Sequence, residues 1–216
     1  MFPTRLTDGY RSFLGGRFTD ERARYKTLAE KGQKPEIMVI GCCDSRVAPE
    51  VIFDAGPGEI FVVRNVANLV PPYEGITQHY HGTSAALEFA VQSLRVKHIV
   101  VMGHARCGGV SAVANSADPL SPGDFIGKWM QQIAPVVARI VPPGENPGMY
   151  IRQLELATVE HSLNNLMTFP CVRILVERGQ LQLHGAYFGV ATGVLMVRDP
   201  ATGEFQAMGE SPLLES

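Results

Sequence analysis

Two short stretches hold the residue types that could do chemistry: GCCDSR at 41–46 and GHARCGG at 103–109. Each follows a run of mostly apolar residues suited to a buried strand, IMVI and HIVVM. In the second stretch His104 and Cys107 stand three apart, so one tight loop can aim an imidazole and a thiolate at a single ion. That donor pair suits zinc. His-x-x-Cys alone is a weak signal. With a cysteine at the end of another strand it becomes much more specific.

Neighbouring side chains leaving a strand point to opposite sides, so only one of Cys42 and Cys43 should face such an ion. Cys42, Asp44 and Arg46 then share one side, and Cys43 and Ser45 the other. Cys42 is expected to ligate and Cys43 to pack, with Asp44 beside the ion and Arg46 holding it. Cys42, His104 and Cys107 make three ligands and leave a fourth position for water, the pattern of a catalytic zinc. Two alternatives stay open. Cys43 or Cys171 could close a four-ligand site that only staples the fold, or Cys42-Cys43 could be a vicinal-thiol sensor.

The elements around these stretches set the frame. Leu6, Tyr10, Phe13 and Leu14 have the spacing of an amphipathic helix, and DERARYKTLAEKGQ suggests a second, mostly solvated one. Strands are expected at 37–41, 60–65 and 98–103, with a turn at AGPGE between the first two. A helix over about 80–95 should bury Ala85, Ala86, Phe89, Ala90 and Leu94. Gly108-Gly109 opens a short helix, and PLSPGDF (119–125) is a loop entering one that turns Phe125, Trp129, Ile133 and Val137 inward. PPGENPG (142–148) is another loop, before a long helix from about 150 to 168. A short helix from Pro170 and a hairpin turning at Thr192-Gly193 complete the chain. Strands alternating with helices imply right-handed crossovers and a mainly parallel sheet, which binds ligands beyond the carboxyl ends of its strands.

The 216 residues are 45% apolar and 19% charged with a net charge of −2, which suits one domain over 1–216: an N-terminal helical arm (1–34) and an α/β core (35–216). That charge balance argues against a nucleic-acid partner. No apolar run reaches the ~20 residues of a membrane span, and MFPTRLTDGYRSF lacks a basic-then-apolar leader. A cytoplasmic location and reduced cysteines are expected.

CxDSR at 42–46, RNVANLVPP at 64–72 and GHxxCGG at 103–109 together resemble the β-class carbonic anhydrases, closest to the plant-type and related bacterial branch. The resemblance runs from about Gln33 to the final hairpin. It implies a lyase with one Zn2+ per chain, whose zinc-bound hydroxide attacks carbon dioxide to give bicarbonate. It also implies a four-stranded parallel core with an added edge strand, flanked by helices, in homodimers or tetramers with sites at the dimer interface. The family's ligands fall on Cys42, His104 and Cys107, and its Asp-Arg dyad on Asp44 and Arg46. Substrate contacts map to Gln33, and apolar pocket positions to Phe61 and Val66, while Phe89 stands where plant members often carry Tyr. As bare sequence, Gln33 is equally a surface loop residue, and Phe61 and Val66 are core. Members that bicarbonate holds closed use a Trp, an Arg and a Tyr. Here these positions are Val39, Arg64 and Phe188, so no such switch is expected.

Two thiolates and a neutral imidazole cancel the metal's charge, so the water should be less acidified than in an all-histidine site, and activity should climb with pH above 7. The same fold could direct its chemistry at carbonyl sulfide or carbon disulfide. His79 and His81 are candidate proton relays or a solvated loop pair, while His98, His161 and His184 read as structural.

Overall fold

Residues 1–75, 80–115, 124–141 and 146–208 are described by the structure, a computed structural model of the chain. Six strands form one sheet in the order β2-β1-β3-β4-β5-β6. They are β1 (Ile37–Cys42), β2 (Ile60–Asn65), β3 (His98–His104), β4 (Gln182–Phe188), β5 (Leu195–Arg198) and β6 (Phe205–Ala207). The first four pair in parallel, and β4, β5 and β6 follow as an antiparallel meander. The expected parallel core is present, with two added strands rather than one. The expected hairpin ended the sequence reading; beyond it Asp199 builds a turn by accepting the Ala201 and Thr202 N–H groups, and three residues suffice for β6.

Alternation along the central strands feeds two faces. Met38, Ile40, Ile99 and Val101 join Leu87, Ala90, Leu166 and Val172 in the larger core. Val39, Met102 and Ala186 lie in a smaller cluster with Val62 and Val100. A third cluster, containing Cys42, Val47, Leu69, Cys107, Met130, Ile133 and Leu154, gathers the segments that follow β1, β2 and β3. A fully buried leucine such as Leu154 or Leu166 stabilises the fold by about 2 kcal/mol.

The N-terminal helices α1 (Thr4–Gly15) and α2 (Arg17–Lys31) bury no residue. A short α3 (Pro49–Ile52), absent from the sequence reading, follows the first motif. Helix α4 (Gly82–Glu88) continues as a π turn over Phe89–Leu94 and stops at Arg95 with φ 58°. It buries Thr83, Leu87, Ala90, Val91 and Leu94, leaving Ala85 and Phe89 exposed, contrary to the expected stripe. Leu87 and Val91 remove more apolar area from water than the alanines the sequence reading favoured.

After α5 (Gly108–Ala114) come α6 (Asp124–Met130) and α7 (Ala134–Val137). Phe125, expected inside, is 93% exposed, whereas Met130, Ile133 and Val136 are buried. A 3₁₀ turn at Gln131–Ile133 interrupts the α-helical period and changes which side faces in. Residues 119–123 and 142–145 of the two expected loops lie outside the described residues. Among the described residues, no helix is long and apolar enough to cross a membrane.

Helix α8 (Pro147–Leu166) starts at Asn146, whose side chain accepts the Met149 N–H, with proline at the first position. Its buried face is partly polar, and each polar group has work. Ser162 donates to the Asn68 carbonyl and accepts from Val70 N–H, while Asn165 donates to the Val70 carbonyl. Asn65 closes the same segment by bonding both N–H and C=O of Leu69. Ala67 and Asn68 are thereby held at φ 63° and 48°, left-handed conformations that non-glycine residues adopt only when the surroundings impose them. Helix α9 (Pro170–Glu177) leads into β4.

Candidate metal centre

The first motif leaves the end of β1 and the second leaves the end of β3. Cys42, His104 and Cys107 offer one donor atom each, all within 4.8 Å of one another, and all three residues are buried. Tetrahedral coordination at ordinary zinc distances needs donor separations of about 3.5–3.8 Å, so little movement closes the triad on one ion.

His104 supplies the clearest test of fit. Its Nδ1 lies 3.0 Å from the Ala105 carbonyl, which fixes that nitrogen as the N–H donor. Nε2 is buried without a hydrogen-bond partner, an orphaned lone pair among two sulfurs. The sulfurs are prepared for negative charge: backbone N–H groups of Asp44 and Ala67 donate to Cys42, and those of Gly109 and Val110 to Cys107. Without a cation the thiols compete for one thiolate. Contact with Cys107 pulls Cys42 down, while Cys42 and burial push Cys107 up. A divalent ion removes that conflict by letting both ionise. For His104, burial opposes charging, yet contact with Cys42 raises it on balance. The donor set fits zinc.

Asp44 is paired with Arg46, whose Nε–H donates to Oδ1 at 2.9 Å and whose Nη2–H donates to Oδ2 at 2.6 Å; the Arg46 backbone N–H adds a third bond to Oδ1 at 3.0 Å. The guanidinium hydrogen bond holds the Asp44 carboxyl far below the usual carboxylate range, burial opposing it. Arg46 also donates to the Arg106 carbonyl at 3.2 Å, which ties the two motif loops together.

Glu155 of α8 was missed by sequence reasoning. It is 4% exposed and accepts the Cys107 N–H at 2.8 Å and the Tyr187 hydroxyl at 2.7 Å. Burial raises its carboxyl, partly offset by those donors. An acidic residue beside Leu154 and Val159 on an inward helix face was the available signal. Arg64 was noticed only as the remnant of an anion pocket; here it donates to the Cys42 carbonyl at 2.8 Å and the Asp44 carbonyl at 2.7 Å. Val39 is buried in the sheet and Phe188 packs beside the third cluster.

Val66 packs into the cluster that holds Cys42 and Cys107, and its carbonyl accepts the Trp129 indole N–H at 2.8 Å. Phe61 pairs with Met38 near the start of the sheet and packs at a tilt against Phe89, ring centroids 5.9 Å apart, while exposed Gln33 precedes β1. These three sit at the opposite strand end from Cys42. Cys43, expected to pack, is exposed because the chain leaves the sheet there; Cys171 is half-buried against the main core, and neither joins the triad. Of the histidines, His81 pairs with Glu74 at 3.6 Å, His98 faces His184 at 3.1 Å, and His161 faces Asn165 at 3.2 Å. His79 lies outside the described residues.

The carbonic anhydrase family profile matches residues 37–195. Among curated proteins of Arabidopsis thaliana, the chain is 39% identical to β-carbonic anhydrase 5, chloroplastic, over 80% of its length and 56% of that protein's. It is 35% identical to β-carbonic anhydrase 3 over 88% of its length and 74% of that protein's. It is 34% identical to β-carbonic anhydrase 6, mitochondrial, over 88% of its length and 65% of that protein's, so it spans less than two thirds of both the chloroplastic and the mitochondrial relative. Among solved structures, the β-carbonic anhydrase CcaA superposes with a TM-score of 0.86 at 29% identity, covering 94% of this chain and 98% of that one. A tetrameric β-carbonic anhydrase of Sordaria macrospora gives 0.74 at 29% identity, with the same coverages.

Proposed function

The chain belongs to the β-carbonic anhydrase family, and from that premise we propose that it is a zinc-dependent enzyme that reversibly hydrates carbon dioxide to bicarbonate and a proton. The observation that carries this reading is the buried Cys42, His104 and Cys107 triad, with Asp44 and Arg46 on the loop that follows Cys42. Cys42 and Cys107 serve as thiolate ligands and His104 binds through Nε2, its Nδ1–H staying on Ala105. One bound zinc ion per chain supplies Lewis acidity that makes a water nucleophilic near neutral pH.

With the metal bound, Asp44 would accept a hydrogen bond from the activated water and so orient it toward the substrate. Arg46 keeps Asp44 ionised and turned away from the metal. Val47, Ala67 and Leu69 give the site an apolar surround that suits a small nonpolar gas. The two thiolates weaken acidification, so activity rises with pH above 7.

The protein acts as a homodimer or tetramer. Support comes from the tetrameric Sordaria macrospora relative and from apolar side chains that α1 leaves exposed. Gln33, Phe61 and Phe89, at the opposite end of the sheet from Cys42, serve the pocket of a neighbouring copy. Four free cysteines, two of them proposed ligands, suit a reducing compartment such as the cytoplasm.

Stopped-flow hydration assayed alongside zinc content tests the proposal. About one zinc per chain with turnover rising between pH 7 and 9 supports it; folded protein without metal or turnover refutes it. Turnover of carbonyl sulfide and carbon disulfide in the same preparation fixes the substrate.

A further inference from the structure

The ladder between β1 and β2 ends at Cys42 and Asn65, with one more bond from Cys43 N–H to the Asn65 carbonyl at 2.9 Å. Beyond it the chain turns, and the Asp44 carbonyl accepts Val47 N–H at 3.1 Å. Arg64, opposite Gly41 on β2, reaches across this turn: Nε–H bonds the Cys42 carbonyl and Nη2–H the Asp44 carbonyl. One guanidinium thus spans the residue between a metal-ligand position and the residue whose carboxylate is held by Arg46.

Arg64 is half-buried, and among the described residues it forms no ion pair with a carboxylate. Its donors go to main-chain carbonyls. For Asp44 to leave Arg46 and turn toward the triad by main-chain rotation, the peptide units on either side of Asp44 must move, which lifts the Asp44 carbonyl off Arg64. A lysine ammonium is a point donor and cannot hold both carbonyls at a fixed spacing as a planar fork does.

We propose that Arg64 is a positioning residue that locks the Cys42–Asp44 turn, holding Cys42 on the metal and Asp44 on Arg46. The inference rests on the zinc reading above and adds a residue to it. Arg46 fixes Asp44 from the side-chain end; Arg64 fixes it from the backbone end.

The test compares zinc-loaded wild type with Arg64→Lys and Arg64→Ala. It reads zinc release to a chromogenic chelator and the pH profile of hydration, normalised to folded protein by circular dichroism. Arg64→Ala should release zinc at least about tenfold faster, in the range typical of groups that orient metal ligands. Its acid limb should move to higher pH, as Asp44 is freed to turn inward, and Arg64→Lys should fall between. If Arg64→Ala does not fold, Arg64→Lys alone must show both shifts. Zinc-replete wild type with unchanged folded variants overturns the role of Arg64 and leaves the functional reading standing. Wild type that binds no zinc overturns both.

Discussion

The Arg46 guanidinium donates one hydrogen bond to each carboxylate oxygen of Asp44, and the same group reaches the Arg106 carbonyl between His104 and Cys107. The pair is therefore a brace between the two motif loops as well as an ion pair.

Removing that brace should separate catalysis from metal binding. Arg46→Ala is expected to keep about one zinc per chain while losing roughly 10- to 100-fold in turnover. Arg46→Lys should recover only part, because an ammonium cannot bond both oxygens in plane. Zinc analysis beside stopped-flow rates checks this; parallel loss of metal and activity would count against it.

How far this arrangement was legible depends on sequence distance. Cys42, Asp44 and Arg46 alternate within one stretch, and His104 and Cys107 fit one tight loop, so short-range rules reached them. Strict alternation puts Cys42 with Met38 and Ile40, yet His104 with Val100 and Met102 on the other face of the sheet. The donors meet only because both lie at the carboxyl end, where the chains turn. Glu155 and Arg64 act through contacts across 48 and 22 residues, which no local period encodes. Ala67 has no left-handed signature of its own; Asn65, Ser162 and the packing of its neighbours impose its conformation.

The buried Cys107–Glu155–Tyr187 chain should be energetically coupled. Tyr187→Phe removes a donor from a buried carboxylate and should cost about 1–3 kcal/mol of stability. Glu155→Ala orphans both the Cys107 N–H and the Tyr187 hydroxyl and should cost more. The double variant should be less destabilised than the sum by about 1 kcal/mol, measurable in a urea double-mutant cycle.

His184 should give part of the acid sensitivity. Burial, then the neighbouring His98, lowers its pKa, so the folded state favours the neutral ring. The stability it contributes is complete above its unfolded pKa, about 6.5, and is lost as pH falls through the lower folded value. His184→Gln removes this linkage. Thermal midpoints measured from pH 8 to 5 should fall less steeply in the variant than in wild type; parallel curves would refute the assignment.

Close approach explains Gly103, just before His104. A Cβ there would sit 2.6 Å from Val159 Cγ2, pushing β3 from α8. Gly103→Ala should lose about 1–3 kcal/mol. Gly82, where a Cβ meets nothing within 4 Å, is the control, and its alanine variant should be neutral or slightly stabilised. Chemical denaturation of both variants checks the contrast.

The arm formed by α1 and α2 has apolar side chains its own chain does not cover. Phe13 packs with Phe18 and Tyr25 between the helices, while α2 is fastened to the 55–59 turn through Arg24, which bonds the Pro57 carbonyl at 2.7 Å and Glu59 at 3.0 Å. Phe2, Leu6 and Tyr10 remain exposed, the last two one helical turn apart. A stripe held outward by a fastened base is poised for another copy, where burial of each large side chain would stabilise association by about 1.5–3 kcal/mol. Leu6→Asp with Tyr10→Asp should therefore lower the mass seen by light scattering at micromolar protein and leave the circular dichroism of the sheet unchanged. If the arm also brings Gln33 to a neighbour's site, the smaller species should lose turnover while keeping its zinc. An unchanged mass would place the assembly contacts elsewhere on the fold.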